Sequence, residues 1–129
     1  MNNRRLALLS QSSSRMLRSL DLSDCSNVTD AGVSSLSSLT GLQKLDLVGC
    51  YKVTDAGVSL SSLTGLQILS LAACNKITDA GLASLSSLIG LQKLDLYCCE
   101  MITGAGLATF SSTVKIKFSP VQDWLRFLL

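Results

Sequence analysis

Residues 66–90 read LQILSLAACNKITDAGLASLSSLIG, and two different periods are written into that stretch. In its first part Leu69 and Leu71 alternate with Ile68, Ser70 and Ala72, the two-residue period of a strand with one buried face. After Cys74 the period changes. Leu82, Leu85 and Leu88 recur at helical spacing behind Thr78-Asp79, where Asp79 is expected as the helix N-cap. Gly90 stands where a helix C-cap belongs. One strand-plus-helix unit cannot bury both of its faces alone, so the stretch implies neighbours like itself.

The neighbours are in the sequence. Residues 17–41 read LRSLDLSDCSNVTDAGVSSLSSLTG, residues 42–65 read LQKLDLVGCYKVTDAGVSLSSLTG, and LQKLDLYCCEMITGAGLATFSS begins at Leu91. The inward Leu pairs are Leu20 with Leu22, Leu45 with Leu47, Leu69 with Leu71, and Leu94 with Leu96. Asp30 and Asp55 repeat the expected cap, as do Gly41 and Gly65 at the other end. Stacked units give an α/β solenoid, a parallel ladder of short strands inside and short helices outside. Two units deviate. The second lacks one Ser before Leu60, which turns Val58 out of helical phase and predicts a short or 3₁₀-like helix. In the fourth, Gly104 replaces the capping Asp, at an expected cost of a few tenths of a kcal/mol.

Composition fits a repeat. The chain has 129 residues, with 26 Leu and 21 Ser against six aromatic residues, so the core is filled by many equivalent Leu side chains. The net charge of +2 lacks the dense basic stripe of a nucleic-acid binder. With no His, acid–base catalysis and zinc binding lose their usual residue. The longest uncharged stretch, 56–75, is rich in Ser, Gly and Gln and does not read as a membrane span. The expected location is cytoplasmic or nuclear. The Arg- and Ser-rich, acid-free start also fits a mitochondrial transit segment.

Three segments follow: an N-terminal cap over 1–16, four repeats over 17–113, and an edge strand with a C-terminal cap helix over 114–129. In the last of these, Val114, Ile116 and Phe118 alternate with Lys115 and Lys117, whose charges suit an outer edge. Ser119-Pro120-Val121-Gln122 resembles a capping box, and Val121, Trp124, Leu125 and Leu128 follow at helical spacing.

The pattern LxxLxLxxC followed by V/I-T-D-A-G-V/L resembles the cysteine-containing leucine-rich repeats of F-box proteins, over Leu17 to about Thr113. The resemblance implies a leucine-rich-repeat solenoid, an arc with parallel strands on its concave side, and a protein-binding module. In those relatives the arc holds proteins destined for ubiquitination, so ubiquitin-ligase components enter as partners by resemblance alone. The 16 residues before Leu17 would make roughly 24 Å of one helix, too little for the three-helix F-box.

The repeated residues offer three kinds of site. Cys25, Cys50, Cys74 and Cys99 recur with the repeat, but strands ~4.8 Å apart spread them too widely for one zinc ion. They read as a ladder of buried thiols, with Cys98 as the free thiol beside the rim. Asp21, Asp46 and Asp95 share an outward position, where Lys44 and Lys93 are expected to pair with the acids on a solvated, salt-bridged face. A flat ladder offers no water-excluding pocket, so neither catalysis, metal nor cofactor is expected. The concave face remains, as a surface for a protein or peptide and not for nucleic acid or membrane. Its expected contact residues are Lys44, Asp46, Val48 and Tyr51 in the second unit, Ile68, Ser70 and Ala72 in the third, and Lys93, Asp95 and Tyr97 in the fourth. Val48, Ala72 and Tyr97 form an apolar column ending in an interface-type aromatic. A monomer is expected. The alternative reading is a fragmentary array that self-associates and has no dedicated ligand.

Overall fold

A computed structural model describes residues 1–11, 16–110 and 112–119. The capping box at Ser119-Pro120 and the apolar positions Val121, Trp124, Leu125 and Leu128 lie partly or wholly outside the described residues. Helix α1 (Asn3–Gln11) is followed by strand β1 (Ser19–Asp21), helix α2 (Asp30–Ser34) with a 3₁₀ turn at Ser35–Ser38, and strands β2 (Lys44–Asp46) and β3 (Ile68–Ser70). Then come α3 (Asp79–Leu85), β4 (Lys93–Asp95), α4 (Gly104–Leu107) and β5 (Lys115–Lys117). The five strands form one sheet in sequence order, every pair parallel.

Register follows the repeat: Leu20, Leu45, Leu69, Leu94 and Ile116 stand side by side across the sheet. Leu45, Leu47, Leu69, Leu71 and Leu96 are fully buried, and Val33, Leu36, Leu82 and Leu85 meet them from the helical side. At about 1.5–3 kcal/mol for each fully buried aliphatic side chain, this packing outweighs the poor helix propensity of the Ser-rich outer segments. The thiols run inside the same stack. Cys50, Cys74 and Cys99 each donate Sγ–H to a carbonyl of the preceding unit, at Leu22, Leu47 and Leu71, over 3.0–3.1 Å.

The helix ends differ from the sequence reading. The N-caps are Thr29, Thr78 and Thr103, with extended backbone, and Thr78 Oγ1 accepts from Ala80 N at 3.3 Å. Asp30 and Asp79 are instead the first helical residues, and their carboxylates reach across to the next unit. Asp30 Oδ1 accepts from Thr54 N at 2.7 Å and Oδ2 from its hydroxyl at 2.5 Å. Asp55 binds Thr78 with the same two distances, and Asp79 binds Thr103 at 2.9 and 2.5 Å. The third residue after each Thr is Gly for a steric reason: a Cβ on Gly57, Gly81 or Gly106 would overlap the Oδ1 of Asp30, Asp55 or Asp79.

At the N-terminal end α1 takes the place of a preceding unit's helix, packing on α2 and the 3₁₀ turn, with Leu6 fully buried. Its Asn3 stands in for the Asp, accepting from Thr29 N at 3.0 Å and donating Nδ2–H to Thr29 Oγ1 at 2.6 Å. At Gly104, with no carboxylate to extend, the ladder stops.

Gly41, Gly65 and Gly90 are not left-handed helix caps. Each lies in a turn closed by the following Leu amide on the carbonyl three residues earlier, as in Leu66 N to Leu63 O at 3.0 Å. The left-handed position is elsewhere, just before each ladder thiol, at Asp24, Gly49, Ala73 and Cys98 with φ of 58°, 74°, 61° and 61°. The second unit forms no helix. Gly57 N donates to Thr54 O and Leu60 N to Val58 O at 2.8 Å, and this tight turn at Ser59 takes up the missing residue. Val58, Leu60 and Leu63 are therefore still buried.

Candidate functional site: the open face of the sheet

Because a strand alternates its side chains, the face away from the Leu core carries ordered columns. One runs Ser19, Lys44, Ile68, Lys93, Lys115, and the next runs Asp21, Asp46, Ser70, Asp95, Lys117. Lys44, Asp46, Ile68, Ser70, Lys93 and Asp95 thus share one surface. With Lys115 and Lys117 they line an open groove of about 400 Å³, floored by Leu69, Leu94 and Ile116.

The acids and bases on this face are not the salt-bridged surface expected from their spacing. Each Asp sits at a strand end and turns back on its own chain. Asp21 accepts from Ser23 N at 2.9 Å, Asp46 from Val48 N at 3.0 Å, and Asp95 from Tyr97 N at 3.0 Å. The hydroxyl and amide of Ser23 hold the Asp21 carboxyl below the usual carboxylate range, with the Lys44 charge adding to them. This local closure competes with cross-strand pairing and wins because it needs no ordering of a long Lys side chain. Lys44, Lys93 and Lys115 form no hydrogen bond or ion pair with another described residue.

Ser70 breaks the acid column. Its hydroxyl is one bond too short to cap its strand as Asp46 and Asp95 do, and the buried Oγ has no hydrogen-bond partner.

The apolar column is discontinuous. Tyr97 is 44% exposed and Val48 half-buried, but Ala72 is 8% exposed and offers almost no contact surface. Tyr51 is exposed on the rim beyond Cys50. Tyr97 has a neighbour the sequence reading missed: Lys117 Nζ stands 5.5 Å from its ring centre, in cation–π range. Lys115 and Lys117 carried a signal, the alternation in VKIKF, which read as edge protection. Their place in the groove follows from β5 pairing parallel and in register with β4.

Burial pushes the Cys50, Cys74 and Cys99 thiols up to about 11, 12 and 11, so they stay protonated and unreactive at neutral pH. Cys98 is exposed and Cys25 half-buried. Among the described residues no group of three or more His, Cys, Asp or Glu is arranged to hold a metal ion. Nor is any helix long and apolar enough to cross a membrane.

A leucine-rich-repeat family profile matches residues 13–37 and 63–86. Among solved structures, a chain of the yeast Rad7–Elc1 complex superposes with a TM-score of 0.74 at 21% identity. The alignment covers 91% of the present chain and 32% of that one, so the chain spans about a third of its structural neighbour's length. No curated protein matches the sequence.

Proposed function

We propose that this chain, a leucine-rich-repeat protein, binds another protein or a peptide on the open face of its sheet. Repeats of this family serve generally as interaction modules rather than as enzymes. The observation that carries the reading is the groove, to which four adjacent strands contribute outward side chains, with Tyr97 exposed at its rim. The outward positions number fewer than the roughly 20–30 residues per side of a standard stable interface, so the face suits a peptide or a transient partner. The resemblance of the repeats to those of F-box proteins supports a narrower role in selecting proteins for ubiquitin-dependent degradation. A monomer suffices for this, since one copy carries the whole groove.

The test is affinity capture followed by mass spectrometry, with the unaltered chain beside Tyr97→Ala and Val48→Ala. Both positions lie outside the fully buried core, and urea midpoints near that of the unaltered chain are expected to show both variants folded. Loss of a specifically captured protein in both supports the face as the binding surface. Retention in both removes it. Recovery of ubiquitin-ligase scaffold proteins with the unaltered chain would favour the narrower role.

A further inference from the structure

We propose that the ligand segment seated in this groove is acidic: an extended stretch of a partner protein, rich in Asp or Glu, lying across the strands over Ile68. The assignment rests on the binding role of the open face and names its ligand class. Four ammonium groups line the groove, on Lys44, Lys93, Lys115 and Lys117, against two carboxylates, on Asp46 and Asp95. Both carboxylates already accept hydrogen bonds from their own backbone, whereas Lys44, Lys93 and Lys115 are unpaired among the described residues. The cationic excess of the groove is therefore left for something else to neutralise.

The shape agrees. Lys44 and Lys115 are three strand spacings apart, about 14 Å, which four or five residues of extended chain would span. Between them Ile68 is half-buried and offers apolar contact to the stems of acidic side chains. A nucleic-acid strand fits less well. Its unbroken row of phosphates would pass both Asp46 and Asp95, whereas a peptide can place neutral residues there. The electrostatics are also polar along the stack. Asp21 is the one charge on the open face of β1, β2 and β4 each carry one Lys and one Asp, and β5 carries Lys115 and Lys117, so the most acidic part of the segment belongs over β5.

The test uses fluorescence anisotropy with a labelled octapeptide alternating Glu and Ala, its Gln-for-Glu counterpart, and an eight-residue oligothymidylate. The Glu peptide is expected to bind and to weaken with added salt, and the Gln peptide is expected not to bind. K93E with K115E is expected to weaken binding about tenfold or more. K52E with K76E makes the same charge change at exposed positions outside the groove and is expected to change it less than about twofold. Urea midpoints near that of the unaltered chain confirm that both double variants are folded. Equal losses in the two double variants, equal binding of the Gln peptide, or tighter binding of the oligonucleotide would each overturn the assignment. Absence of Glu-peptide binding while Tyr97→Ala still abolishes partner capture would sink the acidic ligand and leave the binding face standing. Absence of both effects would remove both.

Discussion

Asp55→Ala tests the contact that joins one unit to the next. The Asp55 carboxylate accepts from the Thr78 amide at 2.7 Å and from its hydroxyl at 2.5 Å. Hydrogen bonds to a charged group contribute about 1.5–3 kcal/mol each, and the half-exposed setting of this pair allows water to replace part of that, so Asp55→Ala should cost about 2–3 kcal/mol. Asp55→Asn should cost less than ~1 kcal/mol, because an amide can accept from the backbone N–H and donate to the hydroxyl oxygen. Asn3 already does both to Thr29. Gly81→Ala would place a Cβ on Asp55 Oδ1. The carboxylate could swing aside only by releasing Thr78, so this change should cost about 2 kcal/mol. With Asp55→Ala present, the overlap with the carboxylate is gone and only a close contact with Val58 Cγ2 remains. The double variant should then fall short of additivity by about 1–2 kcal/mol. Urea unfolding followed by far-UV circular dichroism reads all four corners of the cycle. Full additivity, or Asp55→Asn as damaging as Asp55→Ala, would refute the ladder as the source of cohesion between units.

Two further outcomes concern the turn before each thiol. Ala73 and Cys98 hold φ near 61°, which costs an L-residue about 1–2 kcal/mol, against about 0.4–1 kcal/mol of added unfolded-state entropy for glycine. Ala73→Gly and Cys98→Gly should therefore raise stability by up to ~1 kcal/mol, read from the urea midpoint, unlike most Gly substitutions. The thiols give a pH dependence. In the folded chain Cys50, Cys74 and Cys99 titrate at about 11, 12 and 11, above the ordinary 9.0. The folded state thus binds those protons more tightly than the unfolded one, and their contribution is complete below pH 9 and lost as pH rises from 9 through 11–12. Urea midpoints should fall over that window, and at pH 8 a disulfide reagent should label Cys98 first, Cys25 more slowly, and the three ladder thiols only on unfolding.

How far the sequence reaches depends on whether a contact lies within one unit or between two. The Leu pairs and the helical positions Leu82, Leu85 and Leu88 are legible because each shows its period inside a single repeat, and the thiol column because Cys25, Cys50, Cys74 and Cys99 recur once in every unit. Asp79 was misread for the opposite reason. Within its own unit, Asp after Thr looks like a cap, and only the next unit's Thr103 and Gly106 reveal what the carboxylate holds. Gly81 has its reason between units too: in the stack it is the space into which Asp55 fits. On the open face, the spacing of Lys44 and Asp46 suggested an ion pair, but the nearby Val48 amide is the better partner for the acid. Lys115 and Lys117 join the groove only because β5 adds in register.

The one-dimensional pattern therefore determined the unit, its two faces and the way such units must stack, since burying Leu on one side of a strand and one side of a helix admits few arrangements. The tertiary structure decided which polar group meets which, because hydrogen bonds depend on ångström placement between units while apolar burial depends mainly on which side faces water.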